Sequence, residues 1–344
     1  MMELKHYIIR RILLLIPTLI GVTLLIFAVI QLFSPVERAA LYIRDPRQAK
    51  DLPGIIKKYH LDEPVYVQYY YWLREVLKGN LGYSKSVNMP VFDAILNFFP
   101  ATIELVLYSA PLIVLLGIKL GVLAAIHKDK AADHLTRVSS IIGWSLPSFW
   151  LGILLLAIFY GQLGMFPPER LGTEASVYVN SPNFIRYTKI NTIDALLNGQ
   201  LWIFIDALKH LVLPVASLTI QIVALIVRIM RSSMLEALNR GYVLAARAKG
   251  LEEHDVIYKH ARKNALIPVF TVTGILLAGM LTGVIITETV FNYKGIGYWA
   301  AHAATQLDIP AVLGFALLAG VIFVFTNLIV DILYAYIDPR VRLG

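Results

Sequence analysis

The sequence predicts an all-α integral membrane protein with six membrane-spanning helices. Three observations point there. Of 344 residues, 58% are hydrophobic and 16% are charged, and the mean hydropathy is +0.67. Soluble domains carry about 25% charged residues. Six apolar runs approach the ~20 residues that a helix needs to cross a ~30 Å hydrocarbon core. Lysine and arginine crowd into alternate connections between those runs, the asymmetry that sets membrane topology.

The first run, Ile12–Phe33, is uncharged and follows Lys5, Arg10 and Arg11. It exceeds the 7–15-residue apolar region of a secretion signal, and no small-residue cleavage site follows, so it reads as a retained helix. The second, Thr102–Ile126, is interrupted by Glu104 and Lys119. The third, Val138–Tyr160, is uncharged and contains Pro147, expected to kink it. The fourth, Leu211–Val227, is short and contains Gln221 and Pro214, the latter also expected to kink its helix. The fifth, Ile267–Thr287, is rich in threonine and in glycines (Gly274, Gly279, Gly283) that permit close helix packing. The sixth, Ala311–Ile337, is uncharged apart from Asp331.

With the N-terminus inside, the inner segments 1–11, 127–137, 228–266 and 338–344 hold 16 basic residues in 68 positions. The outer segments 34–101, 161–210 and 288–310 hold 14 in 141. Both termini are therefore expected in the cytoplasm. Residues 1–100 read as the first helix plus a partly helical outer segment. Residues 101–337 read as the main transmembrane domain, with the inner loop 228–266, and 338–344 as a tail. Helical spacing runs from Val65 to Leu77, beside the aromatic cluster Tyr69 to Trp72, with turns at Gly79-Asn80 and Gly82. That cluster suits either the membrane–water interface or a partner surface. In the second outer segment, Ile193, Leu196, Leu197 and Leu201 outline an amphipathic helix lying flat. Glu104 and Glu288 fall near the outer face, where they are read as interfacial.

Composition also excludes function classes. The chain is too apolar for disorder. It has no cysteine, which removes disulfides, thiolate zinc, iron–sulfur clusters and thiol catalysis. The net charge of +8 would suggest nucleic acid in a soluble protein. Here the most basic loop alternates bases with acids, so no nucleic-acid partner is expected, and membrane lipid is. No carboxylate pair, histidine cluster or Ser–His arrangement suggests an enzyme, and no metal or cofactor is expected in this chain.

The loop from Arg228 to Lys263 reads as helix, glycine, helix. Leu235, Leu238, Tyr242 and Ala245-Ala246 recur at three- and four-residue steps, and Leu244 to Lys249 is strongly helix-forming. Gly250 offers the left-handed position that ends a helix. Glu252, Glu253 and Asp255 open a second helix, and Lys259, Arg262 and Lys263 close it, matching its dipole. The result is a compact knob with small side chains for close approach and charges for specific pairing. An ordinary lipid-facing basic loop accounts for the same residues on physical grounds.

At these residues the sequence resembles the coupling signature of ABC importer permeases. There a Glu-Ala-Ala triplet is followed after three residues by glycine, and later by Ile-x-Leu-Pro. Aligning Gly250 puts Leu244 at the glutamate and Ala245 and Ala246 at the alanines. His260 falls at the isoleucine, and Arg262-Lys263 at Leu-Pro. The departures are similar to the oligopeptide and dipeptide branch, which carries Ala-Arg-Ala-Lys-Gly, a histidine, then Arg-Asn-Ala-x-x-Pro. This chain has Ala246-Arg247-Ala248-Lys249-Gly250, His260, and Arg262 through Asn264 to Pro268, with Lys263 extra. Leu61 to Pro64, Asn80 to Ser84, Pro100 to Leu105, Ser145 to Gly152, Asn327 to Asp331 and Asp338-Pro339-Arg340 extend the likeness along nearly the whole chain.

The resemblance implies the six-helix type I ABC importer permease fold in a prokaryotic cell membrane. Its implied partners are a second, related permease subunit, two ATP-binding cassette subunits and an external solute-binding protein. ATP and magnesium would reside on the partners; this chain has no Gly-x-x-x-x-Gly-Lys-Ser/Thr loop, and Lys294-Gly295-Ile296-Gly297 lacks that spacing. The implied ATPase-coupling residues are Leu244, Ala245, Ala246, Arg247, Lys249, Gly250, His260, Arg262 and Asn264. Candidates for the translocation path are Gln221, Lys119 and Asp331, as charged or polar groups inside spans. Asp331 is also read as a partner for a basic residue. Di- or oligopeptides are the first choice of solute, with oligosaccharides or nickel chelates as alternatives. A self-sufficient secondary transporter is the reading from another class, and it would call for buried coupling carboxylates.

Overall fold

The computed structural model describes residues 4–43 and 45–337, so the tail and Asp338-Pro339-Arg340 lie outside the described residues. The described chain is helical apart from one two-stranded ribbon. Helix α1 (Leu4–Ile30) leads into an outer layer of α2 (Pro35–Ala39), α3 (Leu52–Lys58) and α4 (Val65–Leu77). The strands β1 (Tyr83–Ser84) and β2 (Met89–Pro90) pair antiparallel before α5 (Val91–Ile126). There follow α6 (Ala131–Ser145), α7 (Ser148–Leu155), α8 (Thr173–Val179), α9 (Asn191–Leu197) and α10 (Leu201–Leu238). The last are α11 (Gly241–Ala248), α12 (Glu253–Asp255), α13 (Arg262–Leu281), α14 (Ile285–Val290), α15 (Ile296–Thr305) and α16 (Ile309–Ile337).

Five helices long and apolar enough to cross a membrane and one bent pair account for the six runs, and the bend falls at Pro147, where a kink was expected. The third run is two helices, α6 and α7, meeting at 100°. Pro147 causes the break, because the residue before a proline is driven out of the helical region. Leu146 is accordingly extended, at φ −74°, ψ 130°. A π-helical turn, Leu156–Gln162, continues α7. The fourth run is the middle of a much longer helix that continues through Pro214 without ending there. With 38 residues, α10 spans roughly 57 Å at 1.5 Å per residue, well beyond a bilayer core. The first 11 positions of the expected loop 228–266 are therefore helix continuous with the span.

Two further boundaries move. The fifth span ends at Leu281, because Gly283 takes φ +104° and turns the chain; Thr287 belongs to α14. Helix α9 stops before Gly199 (φ +68°), so Leu201 begins α10 rather than ending an amphipathic helix.

Helices α5, α6, α7 and α13 pack on α10, while α16 bridges α13 and α1. Gly117 and Gly121 of α5 press against Ile226 and Met230 of α10, where a Cβ would fall 2.4 and 2.6 Å from those side chains. Matching four-residue steps on both helices mean that they run parallel and close, as small residues allow in membranes. Of the glycines expected to pack the fifth span, Gly274 faces Val330 of α16, whereas Gly279 faces open space. The outer layer seals onto α1 through Phe27, Ile30, Leu41, Leu61 and Trp72. Trp72 thus lies in the chain's own core, neither at an interface nor on a contact surface, while Tyr70 is exposed.

Candidate functional site

The knob hangs from the end of α10. Asn239 and Arg240 break the helix, and α11 turns back beneath it. The end of α11 is a Schellman arrangement: Gly250 N–H donates to Arg247 O at 2.9 Å, and Leu251 N–H to Ala246 O at 3.4 Å. Gly250 sits at φ +76°, the left-handed region that favours glycine. The second helix does not close at Lys263. From Glu253 it passes through a π-helical turn, Val256–Ala261, and runs without a break to Leu281. The knob is therefore clamped between two membrane helices rather than hinged as a separate pair.

Burial sorts the coupling candidates. Val243 and Ala246 of α11 join Met234, Ala237, Val256, Ala261 and Ala265 in one core. Ala246 is thus an inward-facing packing residue, because the helix turns by about 100° per residue and sets it opposite its neighbours. Its neighbours Leu244 and Ala245 face out, as do Arg247, Lys249 and Gly250. Arg247 bonds Glu253 with two prongs, Nη2–Oε1 at 2.6 Å and Nε–Oε2 at 3.1 Å. Lys259 pairs with Asp255 at 2.7 Å. Arg262 is half-buried and lays its guanidinium 5.1 Å from the Tyr258 ring centroid. His260 and Asn264 are exposed, and the Asn264 amide donates to His260 O at 3.1 Å. A cleft of about 510 Å³ opens beside the knob, lined by Glu236, Arg240, Tyr242, Asn264 and Pro268 among others. The exposed apolar Leu244 thus stands beside the Arg247–Glu253 pair on a turn packed against α10 and α13.

The three path candidates separate. Lys119 is exposed on the far side of α5 from the Gly117–Ile226 contact. Gln221 is half-buried on α10, and its Nε2 is buried with no hydrogen bond among the described residues. Asp331 pairs with Arg11 at 2.8 Å, tying α16 to α1 as a basic partner was expected to do.

At the other end of the bundle, Glu104 and Glu288 are buried rather than interfacial. Glu104 Oε2 accepts from Arg170 Nη2 and from Tyr293 OH, each at 2.7 Å. Its Oε1 accepts from Thr192 N and Oγ1 at 2.8 and 3.0 Å. Glu288 accepts from Thr102 Oγ1 and Tyr298 N, both at 2.7 Å, and so caps the N-terminus of α15. Gly295 is needed beside it, since a Cβ there would meet the Glu288 carboxyl at 2.5 Å. The Lys294-Gly295-Ile296-Gly297 stretch is thus shaped around an internal carboxylate. Glu104 takes donors 66 to 189 positions away in sequence and Glu288 takes Thr102 from 186 positions away, which no local pattern reveals. The pair Asp133–Arg231, across 98 positions, escaped sequence reading for the same reason.

Comparison with known proteins adds the family. The model described as "binding-protein-dependent transport system inner membrane component" matches residues 117–343, and the N-terminal companion model matches residues 4–106. The chain is 38% identical over 324 residues to the probable D,D-dipeptide transport system permease protein DdpB of Escherichia coli (strain K12), covering 94% of each chain. It is 39% identical to the di/tripeptide transport system permease protein DppB of Pseudomonas aeruginosa (strain UCBPP-PA14), covering 98% of each. To the oligopeptide transport system permease protein AppB of Bacillus subtilis (strain 168) it is 34% identical, covering 98% and 99%.

Proposed function

The chain belongs to the binding-protein-dependent transport system inner membrane components, with the type I ABC importer permease fold, and from that premise we propose that it forms one half of a translocation path for di- or oligopeptides. The other half is a second, related permease subunit. An external solute-binding protein delivers the peptide to the end carrying α4, α8 and α9. Two ATP-binding cassette subunits, which bring ATP and magnesium, dock at the knob. The protein is a multi-pass protein of a prokaryotic cell membrane with its knob and both termini in the cytoplasm.

One observation carries the coupling reading: Leu244, Ala245 and Gly250 are presented outward on a turn that is packed into the ends of both α10 and α13. Nucleotide-driven movement of an ATPase pressed on that turn is passed to two spans at once. The protein's own chemistry is mechanical. Its residues bind, brace and move, and hydrolysis belongs to the partners. The peptide assignment rests on relatives named for dipeptides and oligopeptides over nearly their full length.

Gly250→Asp tests the reading, because it strains the left-handed turn and adds a charge at a close contact. Peptide uptake and stimulated ATPase activity of the assembled complex are expected to collapse while membrane insertion persists. Unchanged uptake in that variant overturns the assignment of the knob.

A further inference from the structure

We propose that Asp133 and Arg231 form a strut through which movement of the knob reaches the bent span, with Asp133 as its positioning residue. The proposal rests on the reading of the knob as the ATPase seat. Arg231 lies on α10 two turns before its end at Leu238. Met230, Met234 and Ala237 on those turns share one core with Val243 and Ala246 of the knob. Knob and inner α10 therefore displace as one body.

From that body Arg231 reaches sideways to α6. Its Nε meets Asp133 Oδ1 at 2.7 Å and its Nη2 meets Oδ2 at 2.6 Å. Asp133 is fully buried and also takes the Asp129 N–H at 3.0 Å. A buried ion pair is a poor source of net stability, since desolvation offsets its attraction. What the two-pronged geometry supplies is direction and register. Toward its other end α6 meets α10 again, where a Cβ at Gly143 would sit 2.8 Å from Ile220 O. The outer face of α6 is otherwise open, with Leu135 72% exposed. Held to α10 at these two places, α6 follows the inner end of α10 and swings the 100° elbow at Leu146–Pro147.

The test uses the complex purified through this chain, with spin labels at Asn239→Cys beside the knob and Leu135→Cys on α6. The chain brings no cysteine of its own. With the strut intact, one label-to-label distance is expected in both the nucleotide-free and the ATP–vanadate states. With Asp133→Asn, the distance is expected to shift between the two states while ATP hydrolysis continues, and Arg231→Gln should do the same if Asp133→Asn fails to assemble. Arg231→Lys should recover part of the constancy. A distance that already shifts with the strut intact overturns the proposal, as does one that stays constant in both strut variants. Peptide uptake by the Gly250→Asp complex separates the two readings. If that variant takes up peptide as the parent does, the knob assignment fails. If it takes up none while the strut variants keep the distance constant, only the strut fails.

Discussion

Arg247 grips Glu253 across the turn at Gly250, so the end of α11 and the start of α12 are held at a set angle by two charge-assisted bonds. Both side chains are substantially exposed, and exposed pairs contribute at most ~1 kcal/mol to folding. Arg247→Gln is therefore expected to leave the melting temperature within a few degrees. It is also expected to lower stimulated ATPase activity severalfold, because the presented surface loosens. Both are read on one purified complex. A large fall in melting temperature with ATPase intact contradicts this division of labour.

Ala245 and Ala246 are adjacent and opposite in role. Ala246→Leu forces three extra carbons into the core of Val243, Val256 and Ala261, an overpacking that costs ~1–3 kcal/mol. Ala245→Leu adds the same bulk to an exposed face and should spare stability while weakening recovery of the ATPase subunits. Thermal unfolding of the two variants, alongside co-purification, separates the effects. Equal melting temperatures would contradict the assigned facing.

Gly117 sets the distance between α5 and α10. Gly117→Ala places a Cβ against Ile226 Cγ2, and neither helix can retreat freely from a parallel contact that repeats at Gly121. A loss of ~1–3 kcal/mol is expected, seen as a lower detergent unfolding temperature. Gly117→Ala with Ile226→Ala should recover part of it.

Glu104 is the hub of a buried network. Glu104→Ala leaves the half-buried Arg170 guanidinium without its carboxylate and strips acceptors from Thr192 and Tyr293. Removing one partner of a buried pair typically costs ~3–5 kcal/mol, so folded yield should fall steeply. Arg170→Met with Glu104→Leu should be milder than Glu104→Ala alone, since no lone charge remains.

Glu288 gives its end of the bundle a pH dependence. Burial pushes its carboxyl above the ordinary glutamate value, against the pull of bonds from Thr102 and Tyr298. The folded state then holds a proton that the unfolded state has released, so stability falls as pH rises from ~4.3 through the elevated value. Unfolding temperatures measured across that window should show a downward slope that Glu288→Gln reduces. Equal slopes in the two proteins would remove Glu288 as its source.

The outline of the bundle was legible because the governing rules are local. Val65–Leu77 emerged as a helix with the boundaries its spacing suggested, and Gly250 took the left-handed turn its position implied. Misreadings clustered where local rules compete. The kink at Pro147 was legible but its 100° size was not, and polarity alone ended the fourth run at Val227, although nothing there breaks a helix before Asn239. The resemblance to the coupling signature brought Ala245 and Ala246 forward together, yet only the packing partners decide which one faces out.

The chemistry of the chain alone set the spans, the helical class and the place of the knob. A bilayer leaves an apolar segment one way to satisfy its backbone, which is to hydrogen-bond within itself. Tertiary structure decided the rest: which carboxylates are buried, which glycines set helix distances, and which charge ties α6 to α10. Those choices depend on donors and surfaces separated by up to about two hundred positions, brought together only when the helices pack.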